Sequence, residues 1–500
     1  MRDAHPSSTP GNALPRLLIS AAHKSSGKTT VSVGLCAALA GRGLAVQAFK
    51  KGPDYIDPMW LGQACGRDCR NLDPFLMEDE EILALFRRHA AGAGISIVEG
   101  NKGLYDGLAL DGSNSNAALA HVLGLPVVLV IDARGMTRGV APLILGYQAF
   151  DRGLRIAGVI LNNLGGTRHE AKLRAVIEHY TDVPVLGAIG CDARLDIGER
   201  HLGLVPNREL GDAARRIADI GSRITAQVDL DRVIAIAGSA LPLAPASPLV
   251  PAARPSRSAA RARQQAVRIG VARDQAFGFY YPDDLDALRA AGAELVDIDT
   301  LHDLRLPPLD GLFIGGGFPE VFMDELEANA GLRAQIRDAI EGGLPVYAEC
   351  GGLMYLARSL TWKGRTCLMV GALPGDAVMH DKPVGRGYVR LAETGRGPWS
   401  AGVDGPAAEL RGHEFHYSSL DNLGPDVEFA YRVLRGHGID GEHDGIVHRN
   451  VLASYSHLRS VGGNDWALRF VRFAAKRKSA RRRGRAAGAA AGTIPLIAAV

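Results

Sequence analysis

Residues 17–30 read LLISAAHKSSGKTT: an apolar run, a turn of small polar residues, then Gly27-Lys28-Thr29-Thr30 leading into a helical pattern. A strand, a loop and a helix in that order make a phosphate cradle. The chemistry asks for backbone N–H groups around phosphate oxygens, a helix N-terminus behind them, a lysine for the outer phosphates and a hydroxyl for Mg²⁺. Ser26, Gly27, Lys28, Thr29 and Thr30 meet those needs and are the expected nucleotide-binding residues. The spacing G-x-x-x-x-G-K-[ST] would begin with glycine at 22, where this chain has Ala22. Val31, Val33, Gly34, Leu35, Ala38 and Leu39 nevertheless continue as one apolar helical face directly after the loop, the context that the motif requires.

Working outward, 500 residues suffice for two or three domains. With 47% apolar and 22% charged residues the composition is that of an ordinary soluble globular protein. The net charge of +3 is uneven: residues 476–485, KRKSARRRGR, hold seven basic groups, which leaves −4 for the rest. A folded body of that sign gives no support to specific nucleic-acid binding, although the tail could touch anything anionic. Cysteines at 36, 65, 69, 191, 350 and 367 show no paired framework, which suits a reducing cytoplasm. Cys65-x-x-x-Cys69 lacks a second Cys/His pair at finger-like spacing. The N-terminus has no apolar signal core, and the closing AAGTIPLIAAV is too short to span a bilayer, so no membrane partner is expected.

From 17 to about 225, apolar runs alternate with helical stretches: AVQAFK at 45–50, SIVEG at 96–100, PVVLVIDA at 126–133, AGVILNN at 157–163 and VPVLGAIG at 183–190. Continuous apolar runs of this kind predict buried parallel strands covered by helices, an α/β fold whose ligands gather at the carboxyl ends of the strands. Pro, Ala, Ser and Arg dominate between roughly 240 and 264, as in a linker. A second alternation follows: VRIGVA at 267–272, AELVDID at 293–299, GLFIGGG at 311–317 and LPVYAEC at 344–350. The expected organisation is a disordered lead (1–16), a first domain (17–238), a linker (239–266), a second domain (267–475) and a basic, disordered tail (476–500).

Two chemistries stand out. In KKGPDYIDP (50–58), Asp54 and Asp57 flank Tyr55 beside the phosphate loop, where carboxylates either hold Mg²⁺ or serve turn chemistry. Glu99 ends an apolar strand, a costly place for a carboxylate unless a metal meets it. In the second half, Cys350 follows LPVYAE and precedes Gly351-Gly352 and a helical pattern, which reads as a cysteine nucleophile on a sharp strand-to-helix turn, or else as a buried structural thiol. The glycines at 315–317 can aim N–H groups at an oxyanion, with Gly316 and Gly317 the expected donors. His413 and His416 in GHEFHYS and His457 in ASYSHLRS are the histidines available as a base.

The series SSGKTT, KKGPDYIDP, VEGNKGLYDG, GLPVVLVIDA and VILNN closely resembles the cobyrinate a,c-diamide synthase family of glutamine-dependent amidotransferases, whose synthetase half is related to dethiobiotin synthetase. The resemblance implies a P-loop parallel-sheet synthetase domain followed by a flavodoxin-like α/β class I glutaminase domain. It implies ATP with Lys28 and Thr29 at the triphosphate, Mg²⁺ at Thr29, Asp54 and Glu99, and Tyr55 and Asp57 near the substrate or acyl phosphate. It implies Cys350 and His457 as the glutaminase pair, although the glutamate common two residues after that histidine is replaced by Arg459. His413 and His416 fall to the tetrapyrrole, to a domain interface or to a structural role. The implied partners are small molecules, namely a tetrapyrrole polycarboxylate, ATP and glutamine; a homodimer stays open. The rival readings are a sirohydrochlorin-type substrate, cobyric acid synthase-like amidation, a partition-type ATPase switch and a binding-only pseudoenzyme.

Overall fold

The computed structural model describes residues 14–192, 197–200, 203–244, 266–400 and 409–491, so residues 1–13 of the expected lead and 245–265 of the expected linker lie outside the described residues. The chain divides into two compact units, with the division at residue 250.

The first unit is built on seven strands: β1 (Arg16–Ala21), β2 (Val46–Lys51), β3 (Arg70–Leu72), β4 (Ile95–Glu99), β5 (Val127–Asp132), β6 (Ile156–Leu164) and β7 (Val185–Gly190). They lie in the order β3-β2-β4-β1-β5-β6-β7, every pair parallel. Six of the seven coincide with the apolar runs; β3 is an edge strand of three residues, too short for its periodicity to register. β1 is buried from end to end because strands flank it on both sides and helices cover it. Helix α1 (Lys28–Gly41) follows β1 across the loop 22–27, and helix α2 (Ile56–Cys65) follows β2. The ends of β1, β2 and β4 thus converge on one edge, as neighbours in a parallel sheet must.

The second unit holds a ten-stranded sheet. Its parallel part runs Ala293–Ile298, Val267–Ala272, Gly311–Ile314, Val346–Glu349, Val451–Ser454, the 2-1-3-4-5 order of a flavodoxin-like sheet. Antiparallel strands His443–His448, Glu428–Arg435, Gly385–Glu393, Glu409–His416 and His457–Leu458 extend it. His457 comes three residues after Ser454 in sequence but five strands later in the ladder, so the antiparallel part curls back on itself. Phe313, Tyr347, Trp466 and Phe470 pack one face of the parallel part.

The expected disordered tail from 476 is corrected over its first part. Helix Trp466–Ala491 continues through the basic run, because Ala, Lys and Arg are good helix formers and two side chains tie it down. Lys478 Nζ donates to Asp310 Oδ2 and to the Ala266 carbonyl, both at 2.7 Å, and Arg481 donates to the Gly343 carbonyl at 2.6 Å.

Candidate active sites

In the first unit the loop between β1 and α1 holds Ser25 at φ +60° and Gly27 at φ +84°. Gly27 is required twice over: its backbone is left-handed, and a Cβ there would stand 2.1 Å from Asn162 Nδ2. That amide, at the end of β6, donates to the Ser26 carbonyl at 3.0 Å and pins the loop. Ala22 is not among the left-handed residues, so this turn needs no glycine there. The Ser26 hydroxyl turns inward and donates to the His23 carbonyl at 2.9 Å, while Gly27, Lys28, Thr29 and Thr30 line a cavity of about 590 Å³, large enough for a cofactor-sized ligand. Asp54, Asp57, Arg134, Asn162 and Asn163 line it too.

At its base Thr29 Oγ1 donates to Glu99 Oε1 at 2.7 Å and lies 3.2 Å from Asp57 Oδ2. Lys50 Nζ donates to Asp57 Oδ2 at 2.5 Å and to Glu99 Oε1 at 3.0 Å, with Asp54 Oδ2 3.8 Å away. Lys50, buried at the end of β2, is a strand-end residue to which sequence reasoning assigns no role beyond that place. Burial alone would lower its pKa, but Asp57, Glu99 and Asp54 hold it well above the ordinary lysine value. Lys28 goes the other way, to about 8, through burial and the Lys50 charge. Glu99 is fully buried, and among the described residues its Oε2 has no hydrogen-bond partner. Asp54 also does turn work: its Oδ1 accepts the Ile56 and Asp57 N–H groups at 3.0 Å and starts α2. The structure therefore brings Asp57, more than Asp54, to Thr29 and Glu99. Half-buried Tyr55 precedes α2. Asn116 shapes the neighbouring loop, its Nδ2 donating to the carbonyls of Asn101 and Gly103.

Among the described residues no group of three His, Cys, Asp or Glu side chains forms a metal cage, and all six cysteines are free. No described helix is long and apolar enough to cross a membrane.

In the second unit Cys350 sits between strand Val346–Glu349 and helix Gly351–Leu356 at φ +49°, ψ −102°, a sharp elbow. Its N–H donates to the Ser454 carbonyl at 2.7 Å. The glycines after it are spatial necessities: a Cβ on Gly352 would meet the Ile314 carbonyl oxygen at 2.2 Å, and one on Gly351 the Gly317 nitrogen at 3.0 Å. The same close packing puts Gly317 beside the elbow. A Cβ on Gly316 would lie 2.7 Å from His457 Cε1. Tyr280 supports this loop, its hydroxyl accepting the Gly315 N–H at 2.8 Å.

His457 is the histidine at Cys350. Burial would lower its pKa, yet hydrogen bonds with the Cys350 and Glu349 side chains carry it up to about 10. Its Nδ1 lies 3.2 Å from Glu349 Oε2, which leaves Nε2 for the sulfur. Glu349 Oε1 accepts the Tyr347 hydroxyl at 2.6 Å and the Leu458 N–H at 3.0 Å. His413 stacks on His457, ring centres 4.9 Å apart and planes 17° apart, and burial with the His457 and Arg459 charges keeps its pKa well below the ordinary value. It belongs to this site. His416 instead stacks on Tyr455 at 3.9 Å, with Nδ1 2.8 Å from the Ser418 carbonyl, a core position. Arg459 lies over the Tyr281 ring at 4.5 Å, with Nη2 3.3 Å from Asp283.

A phosphate-loop unit followed by a flavodoxin-like unit with a Cys–His site defines a two-part, nucleotide-using amidotransferase. The patterns of known families agree: the CobQ/CobB/MinD/ParA nucleotide binding domain matches residues 18–205 and the CobB/CobQ-like glutamine amidotransferase domain residues 268–464. A cobyrinate a,c-diamide synthase from Magnetococcus marinus is 50% identical over 467 residues, covering 93% of this chain and 98% of its own length. One from Methanosarcina acetivorans is 44% identical over 509 residues, covering 96% and 99%. The chain belongs to the cobyrinate a,c-diamide synthase family.

Proposed function

We propose that this chain is a ligase that uses ATP and glutamine to amidate the a and c acetate carboxylates of cobyrinate or hydrogenobyrinate, in a cytoplasmic setting that keeps Cys350 reduced. The observation that carries the substrate assignment is the match, over both units, to relatives bearing that name. The chemistry is supported by the geometry of each unit taken alone.

In the unit at 17–238, the Ser26–Thr30 backbone and the Lys28 ammonium bind the triphosphate. Thr29 and Glu99, with Asp57 and Asp54 in reach, would hold Mg²⁺; the buried Glu99 Oε2, without a hydrogen-bond partner among the described residues, suits a hard cation that takes few protein oxygens. When bound, that ion offsets charge on the phosphoryl group. A substrate carboxylate takes the γ-phosphoryl, ADP leaves, and the mixed anhydride has a good leaving group. Lys50, held by the acidic cluster, keeps one positive charge beside that transfer. Tyr55 and Asp57, at the start of α2 beside the phosphate loop, would meet the substrate or acyl phosphate.

In the unit at 267–475, Cys350 Sγ attacks the side-chain amide carbon of glutamine while the Gly316 and Gly317 N–H groups face the developing oxyanion. His457 gives a proton to the leaving nitrogen, and water then hydrolyses the thioester to glutamate. Ammonia displaces phosphate from the anhydride and forms the carboxamide. Glutamine-dependent ADP release, measured with cobyrinic acid, hydrogenobyrinic acid and sirohydrochlorin side by side, tests the assignment; preference for sirohydrochlorin would refute it.

A further inference from the structure

We infer that Glu349, the residue immediately before the nucleophile, is the carboxylate that positions His457 for proton transfer at Cys350. The inference rests on the glutaminase reading of this site. The two residues are 108 positions apart and meet through Nδ1 and Oε2 at 3.2 Å.

The backbone explains how two consecutive residues serve one imidazole. Along a strand, side chains alternate between faces, so Tyr347 and Glu349 share a face, and the Tyr347 hydroxyl reaches Glu349 Oε1 at 2.6 Å. Residue 350 would ordinarily point the opposite way. The left-handed elbow at Cys350, φ +49°, breaks the alternation, so that Glu349 and Cys350 both engage His457.

Glu349 is 3% exposed, and among the described residues its one ion-pairing partner is His457. A buried carboxylate is tolerated when paired and hydrogen-bonded; here the Tyr347 O–H and Leu458 N–H hold one oxygen while the other meets the imidazole. That arrangement fixes the ring, sets Nδ1 as the protonated nitrogen and stabilises the imidazolium form of His457 beside Cys350. The residue two places after His457 cannot do this: Arg459 is a cation, engaged with Tyr281 and Asp283. Titratable or charged groups that also bear on this site include Cys350, the stacked His413, Arg459 beside His413, and the buried Asp284, which interacts with Glu349 and Arg459.

The test compares Glu349→Gln and Glu349→Asp with Cys350→Ala in the full chain. It measures glutamine hydrolysis, amidation driven by added ammonia, and the pH dependence of inactivation by iodoacetamide. Glu349→Gln should lower kcat for glutamine on the order of 10²-fold or more, with KM within a few-fold and ammonia-driven amidation intact. Its inactivation profile should shift along pH, because the carboxylate that helps raise the His457 pKa is gone. An unchanged kcat and profile, with Cys350→Ala inactive on glutamine, would overturn the inference and leave the glutaminase reading standing. Glutamine-dependent activity persisting in Cys350→Ala would instead overturn the reading itself. If Glu349→Gln loses ammonia-driven amidation as well, Glu349→Asp decides: its carboxylate stops one methylene short, so a drop of at least about tenfold in kcat supports positioning, and an unchanged kcat refutes it.

Discussion

A single methyl group at Gly316 should disable glutamine use while sparing the rest of the molecule. Gly316 is not among the left-handed residues, so the backbone accepts alanine. The obstacle is space: the new Cβ would stand 2.7 Å from His457 Cε1 and 3.3 Å from Phe279 Cδ2. Carbon atoms rest about 3.5–4.0 Å apart, so the imidazole must retreat by roughly 1 Å. Retreat lengthens the 3.2 Å contact with Glu349 and misplaces the nitrogen at Cys350. A displacement of ~1 Å at a reacting group costs on the order of 10²-fold in rate, or about 2.7 kcal/mol of barrier. The assay is glutamate release from glutamine, with ammonia-driven amidation as the internal reference for folding and for the first unit. Gly331→Ala is the control, since a Cβ at Gly331 meets nothing within 4 Å and alanine favours its helix. If Gly316→Ala hydrolyses glutamine within threefold of the parent, the placement of His457 against this loop is refuted.

Cys350→Ala should abolish amidation from glutamine and keep amidation from ammonia, read as product formed with each nitrogen donor. Lys28→Ala should lose synthesis with both donors and keep glutamine hydrolysis; retained ADP release would refute the nucleotide site. His457 has a pKa raised from an ordinary 6.5 to about 10 in the folded state, so its stabilising contribution is fully present below pH 6.5 and is lost as pH rises through 10. The urea midpoint of the second unit should therefore fall between pH 7 and pH 10, and fall less in His457→Gln.

Local signals were the legible ones. The apolar strands and the glycine-lysine-threonine turn announced themselves because a parallel sheet buries both faces of each strand, and because a phosphate cradle is contiguous in sequence. Cys350 was legible for the same reason, flanked by its strand and its glycines. What stayed hidden depends on residues far apart in the chain. Lys50 reads as one lysine of a pair until Glu99 and Asp57 close around it. Glu349 reads as the last residue of a strand until His457 arrives across 108 positions. His413 reads as a histidine in an antiparallel strand until the pairing of Glu409–His416 with His457–Leu458 stacks the two rings. The basic run at 476–485 reads as solvated charge, because the anchors at Asp310 and Gly343 belong to distant elements.

The curled ladder that carries His457 sets a timetable for biogenesis. A ribosome adding ~5–20 residues per second needs roughly 5–20 s to move from Glu349 to His457. Until residue 451 is added the thiol lacks the strand Val451–Ser454 that receives the Cys350 N–H, and until residue 457 it lacks the imidazole that meets it. The phosphate-loop unit, by contrast, has all its strands translated well before the second unit begins. A nascent chain ending before Val451 therefore carries the residues that line the nucleotide-binding cavity but not the histidine that meets Cys350.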